Sequence, residues 1–400
     1  MRILLFMGHG HVVEFAGGAE KVLCNMANAM NRRGHCVTVV CNDRKNGLPF
    51  YPLENGVNFV NLDGGSQKKK YLQYKKFIRE LTRPLRKTSL RRFFPDPVLS
   101  QKLRESRPAL KEVIERTQPE VIVSYFLDDH YIVTQTTVSP SCPLIVMHHS
   151  YPDEPLLKAA YDKKESLRRC SCLQLLLPGY VPAVKNVYPH VKTEVIPNVI
   201  LPAADNDLAH PGSAKNTPVI VTVGRLERHK QPHILIEAFA LLAKAYPQWN
   251  VHIYGGEHGR RYALYLRKLI RKEQLQERVF LMGTTKNVSA VFAQSAIFAF
   301  PSAYEGFPLA LGEAMAAGLP CIGLKSAPGV NELITDGYNG LLADGSTESF
   351  AEKLKRLMDD AELRSVLGCN GREYVKQFDE KIIWDRWERL LTETVGVSGG

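Results

Sequence analysis

Glu305 and Glu313 stand eight residues apart in the run PSAYEGFPLALGEAMAAG, residues 301–318. An apolar strand, Ile297–Phe300, stops at a Pro-Ser turn. The loop Gly306-Phe307-Pro308 follows, and from Leu309 a helix of small residues runs to Gly318, ahead of Pro320. One glutamate precedes the helix and the other lies about a turn inside it. The free N–H groups and positive dipole end of such a helix form a seat for a phosphate. Carboxylates beside it can accept hydrogen bonds from sugar hydroxyls. Taken alone, the pair reads better as a helix cap and a solvated helix residue.

A second cluster shifts that balance. The strand Val219–Val223 ends in Gly224-Arg225-Leu226-Glu227-Arg228-His229-Lys230, so Arg225 and Lys230 flank one strand-to-helix turn. Two fixed cations there can hold a diphosphate and stabilise the charge that grows on it as it leaves, without a metal ion. A third turn, Phe15-Ala16-Gly17-Gly18-Ala19-Glu20, puts Gly17 and Gly18 at a helix start, where a ligand can approach backbone N–H groups closely. It is not the Gly-x-Gly-x-x-Gly of a dinucleotide site, and Gly8-His9-Gly10-His11 does not supply one.

The elements that must position these turns alternate along the chain. Ile3–Met7, Val37–Cys41, Val121–Tyr125, Leu144–Met147 and Leu173–Leu177 are short, nearly all-apolar strands, and Ala19–Arg33 has helical spacing. After Leu201–Pro218, which holds three prolines and no apolar period, the alternation restarts with Val219–Val223, Val251–Tyr254, Val279–Met282, Ile297–Phe300 and Cys321–Leu324. Continuous apolar strands separated by helices imply parallel sheets covered on both faces. The expected class is α/β, two tandem doubly wound, Rossmann-like domains with a cleft between them, where such sheets bind ligands. The expected boundaries are 1–200, a linker at 201–218, 219–378, and a closing helix and tail at 379–400. Trp384 and Trp387 read as packing residues of that helix. Asp205-Asn206-Asp207 matches a metal-holding Asp-x-Asp string, but in a linker the match reads as chance.

Together the motifs make the chain resemble the family-4 glycosyltransferases of the GT-B fold, the retaining enzymes that use UDP- or GDP-sugars. The resemblance spans most of the chain outside roughly 64–118. It rests on the Gly-Gly-x-Glu turn, Ile196-Pro197-Asn198, the Gly-Arg-Leu…Lys turn, Glu-x7-Glu, and Glu332-Leu-Ile-Thr-Asp-Gly-Tyr-Asn-Gly-Leu. It implies that Arg225 and Lys230 bind the donor diphosphate and that Glu313 bonds the ribose. Glu305, with the backbone of Gly306 and Phe307 ahead of Pro308 and Leu309, would hold the donor sugar. Gly17, next to Gly18, would approach the phosphate or reaction centre, and the base would lie near Gly283 and Thr284. It also implies a histidine after a buried amino-terminal strand, here His148 or His149, with His148 favoured. His9 and His11 stay open for acceptor contacts.

The expected reaction is metal-independent, retaining transfer of a hexose-type sugar, with the nucleotide-sugar as donor substrate and no further cofactor. A nucleotide-sugar epimerase or sugar phosphorylase shares this architecture, and a non-catalytic sugar-binding scaffold is the third reading. The chain has 44% apolar and 23% charged residues, and no apolar run long enough to span a bilayer. With no signal-peptide core and no Cys-x-x-Cys, it reads as cytoplasmic, with its cysteines buried and reduced. Of its net charge of +11, Lys68–Arg92 carries eleven Lys or Arg against Glu80 alone. Tyr71, Leu72, Tyr74, Phe77, Ile78 and Leu81 interleave with those cations, which predicts an amphipathic helix up to Pro84. Such a helix fits an anionic membrane face and a glycan or glycolipid acceptor such as lipopolysaccharide core or a lipid-linked oligosaccharide. No nucleic-acid motif accompanies it.

Overall fold

A computed structural model of the chain describes residues 1–8, 11–13, 17–63, 70–82, 84–85, 96–136, 139, 141–152, 156–157, 159, 161–209, 218–257 and 260–398. The chain divides into two compact units, residues 1–197 with 383–400, and residues 198–382.

The first unit holds a parallel sheet of seven strands: β1 (Arg2–Met7), β2 (Cys36–Cys41), β3 (Asn58–Asn61), β4 (Val121–Ser124), β5 (Leu144–Met147), β6 (Cys172–Leu175) and β7 (Thr193–Val195). Their order is β3-β2-β1-β4-β5-β6-β7. Ile3 pairs with Val37 on one side and Val121 on the other. Every residue of β4, β5 and β6 is buried, as helices on both faces require. The helix Gly18–Arg32 turns Val22, Leu23, Met26, Ala27 and Met30 inward, the spacing the sequence displays.

The second unit holds six parallel strands: β8 (Val219–Val223), β9 (Asn250–Tyr254), β10 (Val279–Gly283), β11 (Ile297–Phe300), β12 (Cys321–Leu324) and β13 (Leu341–Ala343), ordered β10-β9-β8-β11-β12-β13. In each unit the strand order reverses once, between β1 and β4 and between β8 and β11. Such a reversal opens a crevice at the strand carboxyl ends. The expectation of two doubly wound domains holds.

The strands absent from the sequence reading, β3, β7 and β13, all lie at sheet edges and have three or four residues. An edge strand faces one neighbour, so it does not need the long apolar run that marks a central one.

Residues 201–209 belong to the second unit, where the Ala209 N–H donates to the Ala317 carbonyl at 2.8 Å. Asp205–Asp207 form a short 3₁₀ turn packed near the helix Val288–Ala293. Among the described residues, no group of three or more His, Cys, Asp or Glu could hold a metal.

The last helix, Glu380–Ser398, belongs to the first unit from Ile383 onward. Ile383, Trp384, Trp387, Leu390 and Leu391 are buried, so both tryptophans are packing residues. Arg33 bonds Asp385 at 2.7 Å and Glu388 at 2.6 Å, and His35 bonds Glu388 at 3.0 Å.

Cys24, Cys41, Cys172 and Cys321 are buried as expected, but Cys36, at the start of its strand, and Cys369 are exposed. Burial pushes the Cys24, Cys41 and Cys172 thiols up to about 12. Among the described residues no helix is long and apolar enough to cross a membrane.

Candidate functional site

The order reversal of the second sheet carries the charged residues. β8 runs out at Val223 into Gly224 and Arg225, and the 3₁₀ turn Arg228–Lys230 follows before the helix Pro232–Leu242. β11 runs out at Phe300 into Pro301–Glu305, and the helix Leu309–Ala316 follows. Thr222, Gly224, Arg225, Lys230, Phe300 and Ser302 line one recess where the two exits meet. The turn needs its neighbours small: a Cβ on Gly255, just past β9, would sit 1.9 Å from the Gly224 carbonyl oxygen.

Lys230 and Glu305, seventy-five positions apart, are bonded directly. Nζ donates to Oε1 at 2.6 Å and to Oε2 at 2.8 Å. The two side chains are only 19% and 10% exposed, and the ammonium lies 5.7 Å from the Phe300 ring centroid. The cap residue of the helix Leu309–Ala316 is Pro308, not Glu305. Arg225 is half exposed and pairs with Glu227 at 3.1 Å.

Glu313 sits one turn into the helix Leu309–Ala316, half-buried. Phe307 and Pro308 are buried, Phe307 against Phe378 with ring centroids 5.4 Å apart, while Gly306 and Leu309 stay half-buried. Gly283 and Thr284 close β10, two strands from β8, and are exposed. Gly283 has φ +72°, and its carbonyl accepts the Gly255 N–H at 2.8 Å, which ties the β10 end to the β9 end.

Three residues at this reversal escaped the sequence reading. Glu227 holds Arg225 with one carboxylate oxygen and His229 Nδ1, at 3.3 Å, with the other. His229 stacks on Tyr304 with centroids 5.2 Å apart. Burial, then the Lys230 charge, lowers the pKa of His229. Ser302 is buried, and its Oγ has no partner among the described residues. The one available signal was the placement of all three within the quoted motifs.

In the first unit, Gly17 is the cap residue of the helix Gly18–Arg32, in extended backbone, and Gly18 is exposed. Burial raises the pKa of Glu20, whose Oε1 accepts the His11 N–H at 3.4 Å. His11 is exposed, with Nδ1 3.8 Å from Asp43, while His9, Phe15 and Ala16 lie outside the described residues. His148 and His149 follow β5. His148 Nε2 is 3.3 Å from Ser150 Oγ, and burial drives the ring's pKa down to about 4. His149 stacks on Tyr125 at 5.1 Å and meets Phe126 edge-on, and burial, then His148, lowers its pKa to about 3. Both are neutral near pH 7.

Residues 204–374 match the model of the glycosyl transferases group 1. The chain carries a group 1 glycosyltransferase domain. An uncharacterized glycosyltransferase of Haemophilus influenzae is 26% identical over 386 residues, covering 94% of this chain and 96% of the relative. A Campylobacter jejuni enzyme is 24% identical over 382 residues, with the same coverage; it is the GalNAc-α-(1→4)-GalNAc-α-(1→3)-diNAcBac-PP-undecaprenol α-1,4-N-acetyl-D-galactosaminyltransferase. The crystal structure of Anabaena HepE in complex with UDP and glucose superposes with a TM-score of 0.71 at 20% identity, over 98% of this chain and 100% of that chain. That likeness establishes the GT-B fold.

Proposed function

We propose that this glycosyltransferase moves a hexose-type sugar from a nucleotide-sugar, a UDP-sugar in preference to a GDP-sugar, to a glycan or glycolipid acceptor. The reaction retains anomeric configuration and uses no metal ion. The observation that carries this reading is the recess at the β8/β11 reversal, which gathers two cations and a buried carboxylate where a doubly wound sheet takes its ligand. Arg225 and Lys230 hold the diphosphate, Glu305 the donor sugar and Glu313 the ribose, with the base near Gly283 and Thr284 and His148 or His149 at the reaction centre. The UDP bound by HepE and the undecaprenol-linked acceptor of the Campylobacter relative support the donor and acceptor classes.

In the step itself, the bond from the anomeric carbon to the phosphate oxygen breaks and the acceptor oxygen bonds the same carbon on the same face. The acceptor proton passes to the leaving phosphate. The protein supplies orientation and fixed charge at the diphosphate.

The acceptor is membrane-borne, and the protein docks peripherally on the cytoplasmic face through the helix Lys70–Leu81. Tyr74, Phe77 and Leu81, at i, i+3 and i+7, are exposed at 65%, 66% and 69%. They form an outward apolar stripe beside Lys76 and Arg79, which suits an interfacial helix. The cations at 68–69, 83 and 86–92 lie outside the described residues.

Thermal-shift screening against UDP, GDP, ADP and their sugars tests the donor, because a ligand bound only by the folded state raises the melting point. A release assay for nucleoside diphosphate, with and without an undecaprenyl-pyrophosphate glycan, separates transfer from epimerisation. Turnover that EDTA abolishes and Mg²⁺ or Mn²⁺ restores would overturn the metal-free mechanism.

A further inference from the structure

Lys230 and Glu305 have opposite duties in the proposed reaction, one toward the diphosphate and the other toward the sugar, yet in this structure they hold each other. Both Glu305 oxygens accept from the same ammonium, at 2.6 and 2.8 Å. Lys230 also lines the recess with Gly224, Arg225 and Ser302. Arg225 in turn is paired with Glu227. The carboxylates of the protein thus compensate the two cations that the diphosphate must engage.

We propose that Lys230 and Glu305 form an exchange pair by which the site tells a nucleotide-sugar from the nucleoside diphosphate left after transfer. This rests on the donor assignment above. An arriving diphosphate draws the ammonium away, and Glu305, nine-tenths buried, loses its strongest donor where water cannot take over. The hydroxyls of the donor sugar replace that donor. A nucleoside diphosphate brings the anion without those hydroxyls, so it bears the cost of separating the pair uncompensated. After transfer, Glu305 competes again for Lys230, and the diphosphate leaves more readily. One ion pair then links sugar recognition to product release.

Glu305→Gln separates this from simple sugar contact, because it removes the carboxylate that competes for Lys230 while keeping its shape. Calorimetric titration of wild type, Glu305→Gln and Lys230→Met would use UDP against UDP-glucose, UDP-N-acetylglucosamine and UDP-N-acetylgalactosamine, and GDP against GDP-mannose. The wild type is expected to prefer one sugar nucleotide over its diphosphate by about 10- to 100-fold, the worth of one hydrogen bond to a charged group. In Glu305→Gln the diphosphate binds on the order of tenfold more tightly, and the preference collapses. Lys230→Met weakens both ligands. Damage to the fold would weaken the diphosphate too, so a gain identifies the exchange. Diphosphate affinity unchanged or weaker in Glu305→Gln would overturn the exchange while leaving the donor site standing. A wild type that binds none of these nucleotides would overturn the donor assignment and the exchange with it.

Discussion

At the order reversal of the second sheet, four charged side chains, Arg225, Glu227, Lys230 and Glu305, are bonded in pairs around one recess. At the reversal of the first sheet Gly8 follows β1, with the buried carboxylate of Asp129 beside it, β4 ends at Ser124, and after the neighbouring β5 come two neutral histidines. The topology is shared and the electrostatics are not. A recess with two cations can hold an anion such as a diphosphate, whereas neutral histidines offer only polar contacts. The same fold can thus be set to either task by a handful of residues at the strand ends.

The largest expected effect separates the two ends by rate. Arg225→Ala and Glu305→Gln should each lower turnover by ~10²–10³-fold with unchanged circular dichroism, as the loss of one fixed charge-stabilising group does elsewhere. Near-wild-type turnover in either would end the assignment of the charged reversal to the donor. Gly255→Ala tests the packing behind it. The added Cβ meets the Gly224 carbonyl at 1.9 Å, so the variant should lose about 1–3 kcal/mol of stability in urea titration. No loss would mean that the Gly224-Arg225 turn is free to shift.

The helix Lys70–Leu81 extends the contrast to surfaces. Lys76→Ser with Arg79→Ser should weaken co-sedimentation with anionic liposomes by about 2 kcal/mol at low salt, and leave neutral liposomes unaffected. Equal pelleting with both lipids would remove membrane docking from this segment.

The smallest effect probes the neutral end. His148 and His149, held at about 4 and about 3, ionise near 6.5 once the chain unfolds. Their contribution to stability is therefore complete above pH 6.5 and is lost as pH falls toward 4, because the unfolded state binds the protons. His149→Phe keeps the stack on Tyr125 and should flatten the stability slope between pH 4.5 and 6 by up to one proton, about 1.4 kcal/mol per pH unit. An unchanged slope would show that His149 is already charged in the folded protein.

The central strands were legible because burial on both faces leaves an unbroken apolar run; Leu144–Met147, Val219–Val223, Ile297–Phe300 and Cys321–Leu324 fall where the sequence put them. The edge strands, half-exposed or only three residues long, left no such trace. At the site, the residue types and their turns could be read, since Arg225 and Glu305 each follow an apolar strand. Their pairing could not. That Lys230 would close on Glu305 depends on β8 lying beside β11, a choice of strand order that no local pattern encodes. Glu227 was passed over for the opposite reason, as an ordinary acid in a charged loop whose two bonds appear only once the loop is folded.

The helix Glu380–Ser398 has a consequence for how the molecule is made. The first unit includes residues on both sides of 198–382, so during synthesis its last packing surface emerges only after the whole second unit has been translated. Until then, Arg33 lacks Asp385 and Glu388, and the sites of Trp384 and Trp387 stand open. Domains generally fold from the amino terminus as the chain grows. Here the second unit is the first able to complete itself, and the earlier-made half waits for the final helix to seal it.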